Sequence, residues 1–334
     1  MSKGRPNTWA KRSALAILIV LLFCVPAVLQ NDYWLFVFCL AWINVLMASS
    51  LRTIYRTGEL SLGQVGFMLL GAYSSALLSK GLGMPVWLTI LVGGLFAAAV
   101  ALLLSYPILR TKGVYFSVFT FLVAEIFRLA MWYTPGLSGG PAGLSKIPPP
   151  GAINLLGITL ITFTTKSSYY CLLAVVVLLS LLVLFRVERS LGFTWMAIRQ
   201  NDDLAESVGI NVRGHKLVAF VVGCFFAGIA GGLFAHFMHL LTTDATAMFG
   251  MLTSIYVAIY MVAGGEARMA GPIVGAVVLT LAPEVARPLK EYQPIVFGAL
   301  VIFIMFFMRQ GIIALPFYLR LWWDRTLGGA GKAP

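Results

Sequence analysis

The sequence predicts an all-α polytopic membrane protein with about ten transmembrane helices, and two observations support this fold class. Hydrophobic residues make up 60% of the 334 residues and charged residues only 11%, a balance far from that of soluble proteins. The apolar residues also form repeated runs close to the length of about 20 residues that a helix needs to cross the hydrocarbon core. Helices are expected in these runs because backbone polar groups within lipid must be satisfied inside the segment.

The apolar runs divide the chain into one membrane domain and two short tails. We predict a cytoplasmic tail at residues 1–13, a transmembrane domain at 14–308 and a cytoplasmic tail at 309–334. The first run follows a basic stretch, but it has no convincing cleavage site and is expected to remain as a helix. The predicted spans are residues 14–30, 33–51, 60–79, 84–109, 113–133, 168–185, 217–241, 248–263, 268–283 and 292–308.

The charge of the chain indicates its topology. There are 24 Lys and Arg residues against 12 Asp and Glu residues, which gives a formal net charge of +12. When the spans are threaded with the N-terminus inside, most of the basic residues fall on the cytoplasmic side, as the positive-inside rule describes. We therefore predict that both termini are cytoplasmic, and that the basic residues face membrane lipid and cytoplasm and do not bind nucleic acid.

Two connecting segments are long enough to hold structure of their own. Residues 134–167 contain LSGGPAGLSKIPPPG, whose glycines and three consecutive prolines exclude a regular span. We expect an external loop of limited order there. Residues 186–216, named here the polar segment, lie between two apolar runs and are predicted to face the cytoplasm.

The polar segment contains the signals of one short helix, in the stretch DLAESVG. Asn201, Asp202 or Asp203 can cap its start. Asp203 and Glu206 have the spacing of a capping box, and Gly209 is a natural C-terminal stop. Because so short a helix is not stable alone, it either seats in a groove on a partner or belongs to an ordinary solvated connector.

Two predicted spans are interrupted by small residues or proline. One is LSLGQVGFMLLGAYSSALLS at residues 60–79, and the other is GGEARMAGPIVGAVVLTLAP at residues 264–283. Interrupted segments in both halves of a transporter often mark the translocation path. Small residues also let helices pack closely, and the sequence leaves both interpretations open.

Glu125 and Arg128 are ionisable residues inside the apolar run FTFLVAEIFRLAMWY. Three residues apart on a helix, they share a face and can pair. Charge within the membrane is costly, so such residues are candidates for function. The alternative is a structural clasp close to the outer headgroups.

The sequence offers no signature of catalysis or of a bound cofactor. His236 and His239 have only Asp244 nearby, which is too few ligands for a metal site. No GxxxxGK[ST] phosphate loop occurs, and the one stretch with GxSxG spacing, GLSGG at residues 136–140, lies in the predicted external loop with no obvious base within reach. We therefore predict no catalytic residue, no metal and no ATP site on this chain. The four cysteines lack paired spacing and are expected to pack as small apolar residues.

Four blocks of sequence together resemble the permeases of branched-chain amino-acid ABC transporters, and most closely the M-type half of that two-permease system. They run from about residue 58 to residue 300 and read GELSLGQVGFMLLGAYSSALL, KGVYFSVFTFLVAEIFRLAM with GLSGGPAGLSKIP, RSLGFTWMAIRQNDDLAESVGINVRGHK, and MVAGGEARMAGPIVGAVVLT. The resemblance implies an ABC-importer permease fold in a bacterial inner membrane, with ATP-driven uptake of branched-chain or other hydrophobic amino acids.

The resemblance also implies partners and site residues. The partners would be a paralogous permease forming a heterodimer, two ATP-binding subunits that hold ATP and Mg, and an extracytoplasmic substrate-binding protein. The loop that couples to the ATPase would consist of Ala197, Arg199, Gln200, Asn201, Asp202, Asp203, Ala205, Glu206 and Gly209. The translocation path would include Gln64, Gly66, Gly71 and Tyr73, with Glu125 and Arg128 as further candidates.

Several alternatives stay open at this stage. Permeases for urea or short amides are close relatives of the same family, and aromatic amino acids are further possible substrates. A secondary transporter driven by an ion gradient would need buried acidic or histidine residues near the midplane, for which Glu125 is the one promising candidate. An enzyme embedded in the membrane ranks third because no nucleophile, base or metal cluster is recognisable.

Overall fold

The computed structural model describes residues 32–150, 153–155, 158–161, 166–244, 248–285, 287, 292–308 and 311–314. The predicted first span at 14–30 and the tail at 1–13 lie outside the described residues. The tail at 309–334 also lies outside them, except for residues 311–314.

The described chain consists mainly of helices, joined by turns and a few short strands. The helices are α1 (Asp32–Tyr55), α2 (Gln64–Leu82), α3 (Val86–Ile108), α4 (Val114–Trp132), α5 (Pro135–Ser138), α6 (Lys166–Gln200), α7 (Asp202–Ser207), α8 (Val212–Met238), α9 (Met251–Gly264), α10 (Ala270–Val285) and α11 (Gln293–Phe307). The strands are β1 (Leu144–Ser145), β2 (Ile153–Leu155), β3 (Ile158–Ile161) and β4 (Leu240–Leu241), and 3-10 turns lie at Gly140–Ala142 and Ile312–Ala314.

The helices confirm a multi-span membrane protein. Within the described residues, α1, α2, α3, α4 and α8 are long and apolar enough to cross a membrane. Helices α9, α10 and α11 are apolar but shorter, with 14, 16 and 15 residues, against about 20 for a full span. The total of about ten spans and the cytoplasmic termini stay predictions.

Helix α6 extends well beyond the span predicted from the sequence. The prediction placed the end of the apolar run at residue 185, but α6 is a single helix of 35 residues that continues to Gln200. At about 1.5 Å per residue it is about 52 Å long, which exceeds the roughly 30 Å of a bilayer's hydrocarbon core. The first half of the polar segment is therefore a helical extension of α6 and not a loop.

Helix α1 lies at the centre of the described bundle and packs against α6, α8 and α10. Its middle is fully enclosed by these neighbours, and Ile43 and Leu46 are both 0% exposed. Helices α2, α3 and α8 form a second close-packed group. Apolar burial does not drive helices together in lipid, so close van der Waals packing between small residues has to stabilise such contacts.

Glycines allow the close approach of α2 to α8. A Cβ atom at Gly71 of α2 would overlap the carbonyl oxygen of Gly228 of α8, and one at Gly231 would overlap the carbonyl oxygen of Met68. Gly66 of α2 similarly faces α4, where an added Cβ would lie 2.6 Å from Ala124 Cα. The interrupted segment at residues 60–79 is therefore a packing surface, whatever further role it has.

Gly71→Ala is expected to lower the stability of the chain, because overpacking a close contact costs about 1–3 kcal/mol. Gly81→Ala is the matched control on the same helix, since a Cβ there meets nothing within 4 Å. The control should be neutral or slightly stabilising, because alanine has the higher helix propensity. Thermal unfolding of the purified variants in detergent measures both, and equal midpoints would contradict the packing account.

The described residues between 134 and 161 form only short elements, and these include strands that were not predicted. The external position of residues 134–167 stays a prediction. Strand β1 pairs antiparallel with β4, and β2 pairs with β3. His236 Nδ1 donates to the carbonyl oxygen of Pro148 at 2.8 Å, and His239 Nδ1 donates to that of Ile147 at 3.1 Å. The all-α prediction is corrected to this extent, because these pairings satisfy backbone groups that the prolines keep out of helices.

Candidate functional site

Helix α7 confirms the short helix predicted in the polar segment, and Asn201 is the residue that caps it. The Oδ1 atom of Asn201 accepts hydrogen bonds from the backbone N–H groups of Asp203 and Leu204, both at 3.0 Å. A cap of this kind is worth about 1 kcal/mol. Asp203 therefore lies inside the helix, so its spacing with Glu206 does not act as a capping box.

The C-terminus of α7 is closed by the glycine that the sequence indicated. Gly209 has a φ of 88°, a left-handed conformation that glycine adopts without strain. Its N–H donates to Glu206 O at 3.0 Å, and the N–H of Ile210 donates to Ala205 O at 3.1 Å. These two hydrogen bonds form a Schellman motif, so six residues make a defined helix with both ends satisfied.

Helix α7 presents apolar side chains away from the bundle. Leu204 is 66% exposed and Val208 is 71% exposed, and residues four apart share a helix face. Exposed apolar groups with polar neighbours are typical of interaction sites. Among the predicted coupling residues, Ala197, Arg199, Gln200, Asn201, Asp203, Glu206 and Gly209 are exposed, Asp202 is half-buried and Ala205 is buried.

Ionic contacts attach α7 to the transmembrane helices. Lys216 of α8 donates from Nζ to Asp202 Oδ2 and to Glu59 Oε1, each at 2.9 Å. The second oxygen of Glu59 accepts from the backbone N–H of Gly113 at 2.9 Å, immediately before α4 begins. We call Glu59, Lys112, Asp202 and Lys216 the buried ionic cluster.

The members of the buried ionic cluster differ in exposure. The side chains of Lys216 and Glu59 are only 8% and 6% exposed. Lys112 is 66% exposed, although its Nζ also lies 2.9 Å from Asp202 Oδ2. Burial raises the pKa of the Asp202 carboxyl, but the hydrogen bonds from Lys216 and Lys112 outweigh burial and leave the pKa below its usual value. Asp202 is therefore ionised near neutral pH and holds the start of α7 to α8.

A second group of contacts attaches α6 to α1 and to the turn between α9 and α10. The buried Arg52 of α1 pairs with Glu188 of α6 and donates from Nε to the backbone oxygen of Glu266 at 2.9 Å. Arg199 of α6 pairs with the carboxylate of Glu266 at 2.7 Å, and its guanidinium carbon lies 4.4 Å from the ring centroid of Tyr55. The whole polar segment is therefore held on the bundle.

Arg199 and Asp202 were predicted as site residues, but their partners in these attachments were not. Glu59 and Lys216 are 157 positions apart, and Arg52 and Glu188 are 136 apart, so no local spacing relates either pair. The one sequence signal was the position of each charge at the edge of an apolar run. That signal identifies residues at the ends of spans but not their partners.

At the opposite end of the bundle, Glu125 and Arg128 form the pair that their spacing predicted. Arg128 Nε lies 3.0 Å from each carboxylate oxygen of Glu125, and its Nη1 donates to Thr243 O at 2.8 Å. A cavity of about 240 Å³ beside this pair is lined by Arg128, Leu129, Trp132, Tyr133 and Asp244. The Glu125–Arg128 pair is thus formed, and it borders this cavity.

The other residues predicted for the translocation path lie in packed contacts within this chain. Gln64 is 1% exposed, and its Nε2 donates to Ser50 Oγ at 3.3 Å. Tyr73 is 1% exposed and its hydroxyl donates to Leu241 O at 3.3 Å. Gly66 and Gly71 face α4 and α8. The structure brings the four onto one helix, and their role in a path stays a prediction.

Comparison with known proteins identifies relatives over most of the chain. The family model described as branched-chain amino acid transport system / permease component matches residues 33–308. The high-affinity branched-chain amino acid transport system permease protein LivM of Escherichia coli K12 is 30% identical over 295 residues, covering 83% of this chain and 69% of LivM. No solved structure matches.

Two further relatives are more distant and match shorter parts. The nucleoside ABC transporter permease protein NupC of Lactococcus lactis is 26% identical over 190 residues, covering 54% of this chain and 59% of NupC. The high-affinity branched-chain amino acid transport system permease protein LivH of Escherichia coli K12 is 26% identical over 157 residues. That match covers 46% of this chain and 49% of LivH.

Proposed function

This chain belongs to the family of permease components of branched-chain amino acid transport systems, and from that membership we propose a specific role. It is a multi-pass permease component of an ABC transporter, similar to LivM, and such components transport and are not enzymes. We propose that it serves an ATP-driven importer that moves branched-chain or other hydrophobic amino acids across a bacterial inner membrane. ATP and Mg would be bound by separate subunits.

The observation that carries this proposal is the exposed helix α7. Its two ends are satisfied by Asn201 and Gly209, and it exposes Leu204 and Val208. An isolated helix of six residues would not persist in water. Here the chain keeps such a helix ordered and exposed, as is expected of a helix that binds in a groove on another protein. We propose that the groove belongs to an ATP-binding subunit.

The buried ionic cluster supports a route by which movement of α7 reaches the membrane helices. Asp202 at the start of α7 contacts Lys216 of α8, Lys216 contacts Glu59, and Glu59 contacts the backbone of Gly113 before α4. These contacts are short, and the side chains of Lys216 and Glu59 are buried. A large shift of α7 would therefore also move α8 and the start of α4. We propose that ATP binding moves α7 and switches the permease pair between inward- and outward-facing states.

The proposed orientation follows from the distribution of charge. The end of the bundle that carries α7 also carries Arg52, Arg56, Lys112 and Lys216, and an excess of Lys and Arg marks cytoplasmic connections. Docking of a cytoplasmic ATPase requires the same orientation. The Glu125–Arg128 pair would then face the outside, where an extracytoplasmic binding protein delivers its substrate.

The proposed assembly contains two different permeases. The match to both LivM and LivH supports pairing with a paralogous permease in a heterodimer. Two ATP-binding subunits and an extracytoplasmic substrate-binding protein complete it. The proposal of an amino-acid substrate rests on the match to LivM over 83% of this chain, while the nucleoside permease matches only 54%.

The proposal is tested by reconstituting this chain with its permease, ATPase and binding-protein partners in proteoliposomes. We expect uptake of labelled leucine that requires ATP on the side of the vesicle membrane that corresponds to the cytoplasm. Unlabelled isoleucine and valine should inhibit this uptake. Adenosine, urea and acetamide at the same concentrations test the other substrate classes and should not inhibit. Vesicles that contain the permeases without the ATP-binding subunits provide the control.

Two outcomes would contradict the proposed function. Uptake that depends on a proton or sodium gradient and continues without ATP would favour a secondary transporter. ATP-dependent uptake of adenosine or urea in place of leucine would be consistent with an ATP-driven permease but would contradict the proposed amino-acid substrate.

A further inference from the structure

The cavity beside the Glu125–Arg128 pair has the size and the charges of a site for one small molecule. Its volume of about 240 Å³ lies below the roughly 300–1,000 Å³ of sites for drug-sized ligands. It is formed where the last turn of α4 meets the residues after β4, so its two walls come from distant parts of the chain. One wall carries Arg128 and the other carries Asp244.

Arg128 provides a positive pole that is largely removed from solvent. The residue is only 9% exposed. Its contacts with Glu125 through Nε and Nη2 and with Thr243 O through Nη1 engage three of the five N–H donors of a guanidinium. The two further N–H groups can donate to a planar anion such as a carboxylate.

Asp244 provides a negative pole in the same cavity. Its charge lies close enough to attract the Arg128 guanidinium. An ionised carboxylate has about four lone-pair sites for hydrogen bonds, so Asp244 can accept from a ligand in addition to its other contacts. Leu129 and Trp132 supply apolar surface between the two poles.

We infer that this cavity binds the zwitterionic backbone of an α-amino acid, with the ligand carboxylate on Arg128 and the ligand ammonium on Asp244. The ligand side chain would contact Leu129 and Trp132. The inference deepens the proposed function, on which it rests, by assigning a substrate subsite to this chain. Uncharged nucleosides, urea and amides bring no charge to either pole, so they would compensate less well for the desolvation of Arg128 and Asp244.

A purely structural role for Arg128 makes a different prediction. The clasp of α4 needs Glu125, Arg128 and the Thr243 carbonyl, whereas the zwitterion site also needs the charge of Asp244. Asp244→Asn is therefore the discriminating variant, because it retains the shape and one acceptor oxygen of the side chain and removes the negative charge. Arg287→Gln is the matched control, since Arg287 lies 4.4 Å from the ring of Tyr33 and outside the cavity.

The experiment uses the complete transporter in proteoliposomes with saturating leucine-loaded binding protein. Asp244→Asn and Arg128→Gln should each lower the maximal rate of leucine uptake about tenfold or more. A tenfold change corresponds to the loss of one charge-assisted hydrogen bond. Binding-protein-stimulated ATP hydrolysis should stay within about twofold of wild type, because substrate released without a subsite escapes outward while the cycle continues. Arg287→Gln should match wild type in both measurements.

A binding measurement with the assembled complex in detergent, without binding protein, tests the ligand chemistry. Valine should displace labelled leucine. Isoamylamine, which lacks the carboxylate, and 4-methylpentanoate, which lacks the ammonium, should compete at least about tenfold more weakly. Equal competition by either analogue, or no leucine binding by the wild-type complex, would overturn the inference.

The two proposals fail in different ways. If wild type takes up leucine with ATP while Asp244→Asn keeps the full uptake rate, the subsite is wrong and the proposed function stands. If wild type transports adenosine or urea and not leucine, the proposed function fails first. Arg128→Gln could lower both uptake and ATP hydrolysis while Asp244→Asn changes neither. That result would show that the Glu125–Arg128 pair has a structural role only and would overturn the subsite.

Discussion

Lys216→Met is expected to lower the free energy of unfolding by about 3–5 kcal/mol, the cost of removing one partner from a buried ion pair. The substitution leaves the carboxylate of Glu59, whose side chain is 6% exposed, without its charged partner. Methionine has nearly the length of lysine and can fill the space, so lost volume contributes little. The measurement is chemical or thermal unfolding of the purified chain in detergent.

Lys112→Met is the matched control. Lys112 and Lys216 contact the same oxygen of Asp202 at the same distance of 2.9 Å, but Lys112 is 66% exposed. An exposed pair is worth only about 0–1 kcal/mol, so this control should change stability little. Comparable losses in the two variants would contradict the assigned role of burial.

The double variant Lys216→Met with Glu59→Gln tests whether the loss arises from the stranded carboxylate. Removing both charges of a buried pair is often neutral or stabilising, whereas removing one is strongly destabilising. We therefore expect the double variant to recover most of the stability that Lys216→Met loses. If Glu59→Gln adds a further loss to that of Lys216→Met, the two side chains are not coupled in the way that their contact implies.

Glu206→Lys is expected to lower leucine uptake by more than about tenfold, since bringing like charges together across a docked surface costs several kcal/mol. The fold should tolerate the change, because an exposed substitution away from special contacts usually stays within about 0.5 kcal/mol. ATP hydrolysis would become independent of the binding protein or fail to be stimulated by it. The measurement is uptake and ATP hydrolysis by the same reconstituted sample.

Arg189→Glu is the control for charge reversal. Arg189 is exposed on α6, more than three helical turns before α7. It should leave uptake and its coupling to ATP hydrolysis unchanged. Normal uptake in Glu206→Lys, together with normal assembly of the ATP-binding subunits, would count against the docking role of α7.

The parts of the fold that depend on local sequence could be predicted. The apolar runs gave the positions of the long helices, because each span satisfies its own backbone. The caps at Asn201 and Gly209 and the pair Glu125–Arg128 involve residues within a few positions of each other, so spacing alone indicated them. The prediction failed for the length of α6, whose polar half continues the helix because no cap or proline ends it before Gln200.

The parts that depend on tertiary contacts could not be predicted. Nothing in the sequence relates Glu59 to Lys216, and nothing relates Arg128 to Thr243, which are 115 positions apart. The cavity containing Asp244 and the pairing of β1 with β4 arise from the same long-range packing. Charged residues at the ends of spans were visible, but a single sequence does not state which of them meet.

The most direct test of the central claim is the accessibility of α7 in the membrane. Val208→Cys places a thiol at a residue that is 71% exposed, while Cys39 and Cys224 of the described chain are buried. A membrane-impermeant maleimide should label residue 208 in inverted vesicles and not in right-side-out vesicles, and assembly with the ATP-binding subunits should protect it. Labelling from the outer side, or equal labelling in the assembled transporter, would contradict a cytoplasmic α7 that docks on the ATPase.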